Sequence, residues 1–263
     1  MAISAKDIQR LRQEAGVGMM EAKKALEATN GDFVAAIKLL RETGLANMAK
    51  RSERDNSQGA VAVGRSGPTA AIVQVKSETD FVAKSPEFVA LVQALADSVA
   101  AKGEVGLLDH QEKIDSLKIS LKENIELGRV IRFEPPVGAV VDTYLHVQSD
   151  RGVNATIVEI QGGSTELAHD IALHIAFARP QYLTREDVTA DVISEERATL
   201  EGITRNEGKP EAAIAKIVEG RLNGFFKDRC LVEQEFAKDN KQTITSVLGA
   251  AKINRFAQVE IGH

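Results

Sequence analysis

The chain has 263 residues, 43% hydrophobic and 27% charged, with a formal net charge of −5 and a pI near 5.7, enough for a sizeable core in two or three compact parts. That acidic balance argues against a nucleic-acid binder, which shows a basic face. The single cysteine, Cys230, excludes an intrachain disulfide framework and reads as a buried, inert thiol in a reducing compartment.

No apolar run approaches the ~20 residues of a membrane helix, and Met1-Ala2-Ile3-Ser4-Ala5-Lys6-Asp7 carries no signal or transit pattern. Residues 1–50 predict three short helices. Ser4 caps the first, with Asp7 in the capping-box region, and Ile8, Leu11 and Ala15 recur at helical spacing until Gly16 stops it. The second runs from about Met19 to Thr29 and ends at Asn30-Gly31. Asp32 caps the third, whose Phe33, Ala36, Ile37 and Leu40 form one stripe, with Gly44 as the stop. Met19 and Met20 point about 100° apart on a helix start, so at most one sits at the centre of a small core. The other lies exposed at the rim, where a flexible thioether suits contact with another protein; the alternative packs both inside. Residues 48–58 are charged and polar without an apolar period and read as a linker.

From residue 59 the pattern occurs twice. A hairpin of Gly59 to Val63 and Ala71 to Val75 turns at Gly67-Pro68. A helix with Phe88, Leu91, Val92, Leu95 and Val99 follows, then one with Ile114, Leu117 and Leu121, then a strand at about Arg129 to Glu134. The second round opens at Gly138 and turns at Ser149-Asp150-Arg151-Gly152, with a return strand at Ala155 to Ile160. Its helix from Ser164 buries Leu167, Ile171 and Ile175 and stops at Arg179-Pro180. It closes with Thr243 to Lys252 and a strand at Phe256 to Ile261. Two helical stretches, about 187–206 and 210–227, flank Asn206-Glu207-Gly208-Lys209-Pro210 and predict an inserted antiparallel hairpin. Ile214, Ile217, Val218, Leu222 and Phe225 make the inner stripe of its second arm. The expected fold is α+β: a three-helix bundle (1–50, linker to 58), a core N-subdomain (59–137) and a core C-subdomain (138–263) with the insert at 187–227. Each subdomain has a small antiparallel sheet backed by helices.

The first hairpin leads into Ser77-Glu78-Thr79-Asp80-Phe81-Val82-Ala83-Lys84, a strand-to-helix corner before Ser85-Pro86-Glu87. Thr79 and Asp80 are residues that cap turns and helix starts. Phe81 has two readings: it plugs the end of the core, as a lone Phe commonly does, or the corner pushes its ring outward on a rigid base. No phosphate-cradling glycine loop occurs. One Cys and five scattered His make no zinc pattern, His169 and His174 do not stack on one helix face, and no acid/base carboxylate pair stands out.

Thr79-Asp80-Phe81-Val82, within Val75 to Lys84, resembles the signature of the elongation factor Ts family, the guanine nucleotide exchange factors of translation; Lys76 stands where that family usually has Asn. Leu11-Arg12-Gln13-Glu14-Ala15-Gly16-Val17-Gly18-Met19-Met20-Glu21-Ala22-Lys23-Lys24-Ala25-Leu26 is similar to the family's first signature, with Ala15 for a usual Thr and Ala22 for a frequent Cys. Its bundle resembles the ubiquitin-associated domain. Tyr144-Leu145-His146, His169 to Ala176 with Arg179-Pro180, Gly208-Lys209-Pro210-Glu211 and Ile217 to Leu222 also resemble the family. Lys122, in Leu121-Lys122-Glu123-Asn124, replaces a common Gly.

The resemblance implies a protein without catalytic chemistry, cofactor or metal of its own, acting on elongation factor Tu in its GDP-bound and nucleotide-free states. It implies that Thr79, Asp80, Phe81 and Val82 disturb the partner's Mg²⁺ site and that Arg12, Met19, Met20 and His146 touch the partner. A homodimer within a two-to-two complex and a bacterial cytoplasmic setting, or a mature organellar one, are further expectations, with no direct nucleic-acid or membrane contact. The chain runs little past its last predicted strand, short of an extra C-terminal helix that some relatives have. The rival reading is an adaptor that binds other proteins through its bundle and has no need of the corner.

Overall fold

A computed structural model describes residues 3–49 and 54–262. Two compact units divide the chain: Met1–Arg132 with Leu145–Ala155 and Val259–His263, and Phe133–Tyr144 with Thr156–Gln258.

The first unit begins with a three-helix bundle. Helix α1 (Ala5–Ala15) starts in a capping box between Ser4 and Asp7 and ends at Gly16, whose φ of 63° is the left-handed conformation that glycine adopts freely. Helices α2 (Met19–Ala28) and α3 (Phe33–Ala49) follow, and Leu11, Val17, Ala22, Ala25, Leu26 and Ala36 close the small core. Gly44 is not the stop expected from the sequence, because α3 runs on through it. Its missing side chain serves packing instead: a Cβ there would lie 2.7 Å from Ile119 Cγ1. Ile119 packs against the bundle core, and Arg41 adds ion pairs to Glu112 (3.2 Å) and Asp115 (3.7 Å). The bundle is therefore seated on the helix that carries Ile119. The linker expected over 48–58 lies partly outside the described residues.

Strands β1 (Gln58–Ser66) and β2 (Thr69–Ser77) form an antiparallel hairpin, with β3 (Glu126–Phe133) on the far side of β2. Both hairpin strands are longer than predicted, since the apolar runs mark only their middles and the polar ends Gln58, Arg65, Ser66, Lys76 and Ser77 carry no hydrophobic signal. A one-turn helix α4 (Asp80–Ala83), then α5 (Pro86–Lys102) and α6 (Gln111–Leu121), lead from β2 to β3, with a 3-10 turn at Glu104–His110 that no apolar period announced. Helix α5 buries Phe88, Leu91, Val92, Leu95 and Val99 against the sheet, each worth about 1.5–3 kcal/mol of burial. The approach is closest at Gly64, where a Cβ would lie 2.1 Å from the Ala96 carbonyl.

The second round repeats the plan. Strands β4 (Ala139–Gln148) and β5 (Arg151–Gln161) form the hairpin, helix α7 (Thr165–Ala178) follows under a Ser164 cap, and the closing strand again borders the return strand of the hairpin. The insert is the predicted helix pair, α8 (Ala190–Asn206) and α9 (Glu211–Arg229). On α9 the buried aromatic is Phe226 and Phe225 is half-buried. The expected stripe holds at Ile214, Val218 and Leu222 and changes only at its end: the Arg185 guanidinium lies over the Phe226 ring, 4.6 Å from the ring centroid, and Phe226 meets Phe225 edge-on. A two-stranded ladder of β6 (Glu235–Phe236) and β7 (Asp239–Thr243), the short α10 (Ile244–Leu248) and β8 (Lys252–Glu260) complete the chain. Val158, Ile160, Ile171, Ile175, Leu231 and Ile253 lie at the centre of this core. Its buried carboxylate, Glu159, is held by Arg255 Nη2 (2.7 Å) and Asn254 Nδ2 (2.9 Å), as a charge out of water must be.

Candidate functional site

The corner is built from two helix caps in close succession. Ser77 Oγ donates to the Thr79 carbonyl at 3.1 Å. Thr79 is extended (φ −118°, ψ 155°) and its Oγ1 accepts from the Val82 N–H at 3.4 Å, which starts α4. After that single turn Ser85 caps α5, accepting from the Phe88 N–H at 3.3 Å, with Pro86 in the first helical turn. Thr79, rather than Asp80, is thus the cap. Asp80 sits in the first turn and accepts from Lys84 Nζ at 2.5 Å, one turn on. That hydrogen bond holds its carboxyl below the usual carboxylate range, and Arg151 adds to the effect at longer range.

Successive helical residues point about 100° apart, so the burial of some fixes the exposure of others. Val82 is 8% exposed and Ala83 fully buried in the core, and Phe81 between Asp80 and Val82 is 86% exposed. Of the two readings of Phe81, the outward one describes this geometry. A second layer holds the corner from behind. Thr79 Oγ1 donates to Glu123 Oε1, and the Thr79 N–H donates to Glu123 Oε2 at 3.2 Å. The Asn124 N–H donates to Glu78 Oε1 at 2.7 Å, and Arg54 pairs with Glu78 at 3.4 Å. Glu123 and Asn124 are both buried. Sequence reasoning missed this layer; the available signal was three polar residues, Lys122, Glu123 and Asn124, between the end of α6 and apolar Ile125.

The same loop reaches the bundle. Lys122 adopts the left-handed conformation (φ 57°, ψ 32°) that ends α6, which accounts for a glycine being suited to that place. Its Nζ lies 3.0 Å from Glu21 Oε1. Glu21 Oε2 in turn accepts from the Gly18 N–H at 3.0 Å. That bond and Lys122 keep the Glu21 carboxyl below its ordinary range. Glu21 thereby fixes the start of α2, where Met19 is 47% and Met20 62% exposed; neither methionine fills the bundle core. Arg12, in the last turn of α1, is exposed too. Lys122 and Glu123 are neighbours in sequence, so one loop braces both the Met19–Met20 edge and the Thr79–Phe81 corner. His146 is exposed on β4, in the hairpin segment Leu145–Ala155 that belongs to the first compact unit. Lys76 is half-buried on β2, opposite Gly59.

Among the described residues no group of three or more His, Cys, Asp or Glu is placed to hold a metal ion, and no helix is long and apolar enough to cross a membrane. Fold and site together define a class: α+β proteins with a small N-terminal bundle, two three-stranded sheets and an exposed aromatic on a doubly capped corner. The family model for elongation factor TS matches residues 78–263. The elongation factor Ts of Corynebacterium diphtheriae is 44% identical over 276 aligned positions, covering 98% of each chain. Those of Clavibacter michiganensis subsp. michiganensis and Kineococcus radiotolerans are 41% and 43% identical, covering 98% and 99% of each chain respectively. The chain belongs to the elongation factor Ts family, and its role lies in translation elongation.

Proposed function

We propose that this chain binds elongation factor Tu carrying GDP and speeds release of the nucleotide, after which GTP rebinds. The observation that carries the reading is Phe81: a ring 86% exposed on a turn whose next two residues are buried. A bound diphosphate depends on Mg²⁺, which demands near-ideal octahedral oxygen geometry. A stiff apolar wedge that shifts a supporting element of the partner by about an ångström spoils that geometry without touching the nucleotide, because metal–oxygen distances hold within a few tenths of an ångström.

In this reading Phe81 is the wedge. Thr79 and Val82 hold its base, one by capping and the other by burial. Asp80, already paired with Lys84, keeps a charge at the edge of the contact. Arg12, Met19 and Met20 form a second grip and His146 a third, so affinity is spread over separate places while exchange depends on the corner. The chain supplies no catalytic group, cofactor or metal to the step, and the setting is the bacterial cytoplasm. Release of a fluorescent GDP analogue from elongation factor Tu, with and without this protein, tests the proposal; with no Trp in the chain, the added protein contributes little background. Acceleration in proportion to added protein supports it, and an unchanged release rate removes it.

A further inference from the structure

We infer that Arg151 is a positioning residue that locks the β4–β5 hairpin tip, which carries His146, onto the strand pair from which the Phe81 corner emerges. The functional part of this inference rests on the exchange reading above, in which His146 and Phe81 are separate contacts with one partner.

The tip is tight. Ser149 and Asp150 both have positive φ, 52° and 61°, the pair of left-handed residues that a two-residue hairpin of matching twist requires. Arg151 opens β5 directly after them and is 9% exposed. Its Nη1 donates to the Gly59 carbonyl at 2.6 Å and its Nη2 to Gln58 Oε1 at 3.2 Å. Gln58 and Gly59 are paired across the hairpin with Ser77 and Lys76, the last residues of β2 before the corner. One guanidinium therefore grips the strand end that is hydrogen-bonded to the root of the corner.

The backbones press together at the same place. A Cβ on Gly152 would lie 2.0 Å from the Val61 carbonyl. Gly59 has a φ of 143°, and a Cβ there would lie 2.2 Å from the Val75 carbonyl, so the oxygen that receives Arg151 is presented by backbone that only glycine adopts. The Nε of Arg151 is buried with no hydrogen-bond partner among the described residues. A buried cation with an unmet donor is costly, and apolar side chains often replace such groups without loss of stability. Retaining the guanidinium makes sense if its directional bonds set a geometry rather than add cohesion. His146 stands on the other strand of this hairpin, so its place relative to the corner follows from the grip of Arg151.

The test uses the full chain with Arg151→Met, which keeps length and loses the donors, and Arg151→Lys, which keeps one donor. In the free protein, amide hydrogen exchange at residues 145–154 should speed up in Arg151→Met and largely recover in Arg151→Lys, with the exchange of α5 unchanged. In GDP release, Arg151→Met should lose about tenfold of the stimulation, the factor expected for a lost hydrogen bond to a charged group. That loss should vanish in a His146→Ala background and persist in full in a Met20→Ala background. Unchanged protection at the tip overturns the lock; full additivity with His146→Ala overturns its role in exchange. The two readings fail separately. If the intact chain does not speed GDP release, the exchange reading and the functional part fall, whereas the lock is decided by hydrogen exchange alone, without a partner.

Discussion

Phe81 keeps its ring in solvent because Val82 and Ala83, the residues after it, are committed to the core. Truncating an exposed ring removes little packing, so Phe81→Ala should change stability by no more than about 0.5 kcal/mol. A buried Phe would cost about 3–5 kcal/mol, and each kcal/mol shifts a domain of this size by about 2–4 °C. A melting scan that moves by many degrees would falsify the outward reading. If the exchange reading holds, GDP release should slow far more than affinity for nucleotide-free partner falls, since in that reading Arg12, Met19, Met20 and His146 supply separate contacts. His174 is the opposite case, 1% exposed with both ring nitrogens engaged. Nδ1 accepts from the Ala237 N–H at 3.2 Å, so Nε2 carries the hydrogen and donates to Gln234 Oε1 at 2.9 Å. Burial pushes its pKa below the usual 6.5. A depressed histidine pKa means that the unfolded chain takes the proton first. The stabilising contribution is therefore complete above about pH 6.5 and lost as pH falls toward the folded value, at up to about 1.4 kcal/mol per pH unit. Chemical denaturation between pH 7.5 and 5 should show this slope, and it should be absent from His174→Gln.

At the scale of elements, the loop after α6 is where two local preferences conflict. Lys122 occupies a left-handed conformation, which costs a residue with a Cβ about 1–2 kcal/mol. Its pair with Glu21 has both side chains about half exposed, and exposed pairs contribute about 0–1 kcal/mol. The magnitudes decide the sign: Lys122→Gly should stabilise the fold by up to about 1 kcal/mol and raise the melting point by about 2–4 °C. The tie to the bundle would be lost, so local hydrogen exchange at the start of α2 should rise even as global stability increases. A lower melting point would show that the Glu21 pair outweighs the backbone strain.

For the whole molecule, the exchange reading carries a thermodynamic obligation. If this chain weakens the hold of elongation factor Tu on GDP by some factor, GDP must weaken the binding of the chain by the same factor. Titration calorimetry with GDP-loaded and nucleotide-free partner should give affinities that differ by the ratio found for GDP with and without this protein. Equal affinities would leave exchange without a thermodynamic basis. The bundle does not act here as a freely tethered hand. Ile119 and Arg41 seat it on α6, and Lys122 and Glu123 connect its edge to the corner, so the first unit presents Arg12, Met19, Met20 and Phe81 from one packed body.

Much of this is written in short-range chemistry. Ser4 with Asp7, Thr79, Ser85 and Ser164 announce helix starts because a cap forms with residues three positions away. The α5 stripe and the doubled order of hairpin, helix and strand follow from periodicity, which depends on a residue and its near neighbours. The corner was legible as a corner for the same reason. Tertiary structure decided what lies across the chain. Gly44 looked like a helix stop and proved to be a seat for Ile119, 75 positions later. Phe226 rather than Phe225 is buried because Arg185 and the fold around it choose the side. Glu123 behind Thr79 and Arg151 against Gly59 are pairs 44 and 92 positions apart, beyond any local pattern. The direction of Phe81 belongs to this second group: local preference makes the turn, but only the burial of Val82 and Ala83 beneath it turns the ring outward.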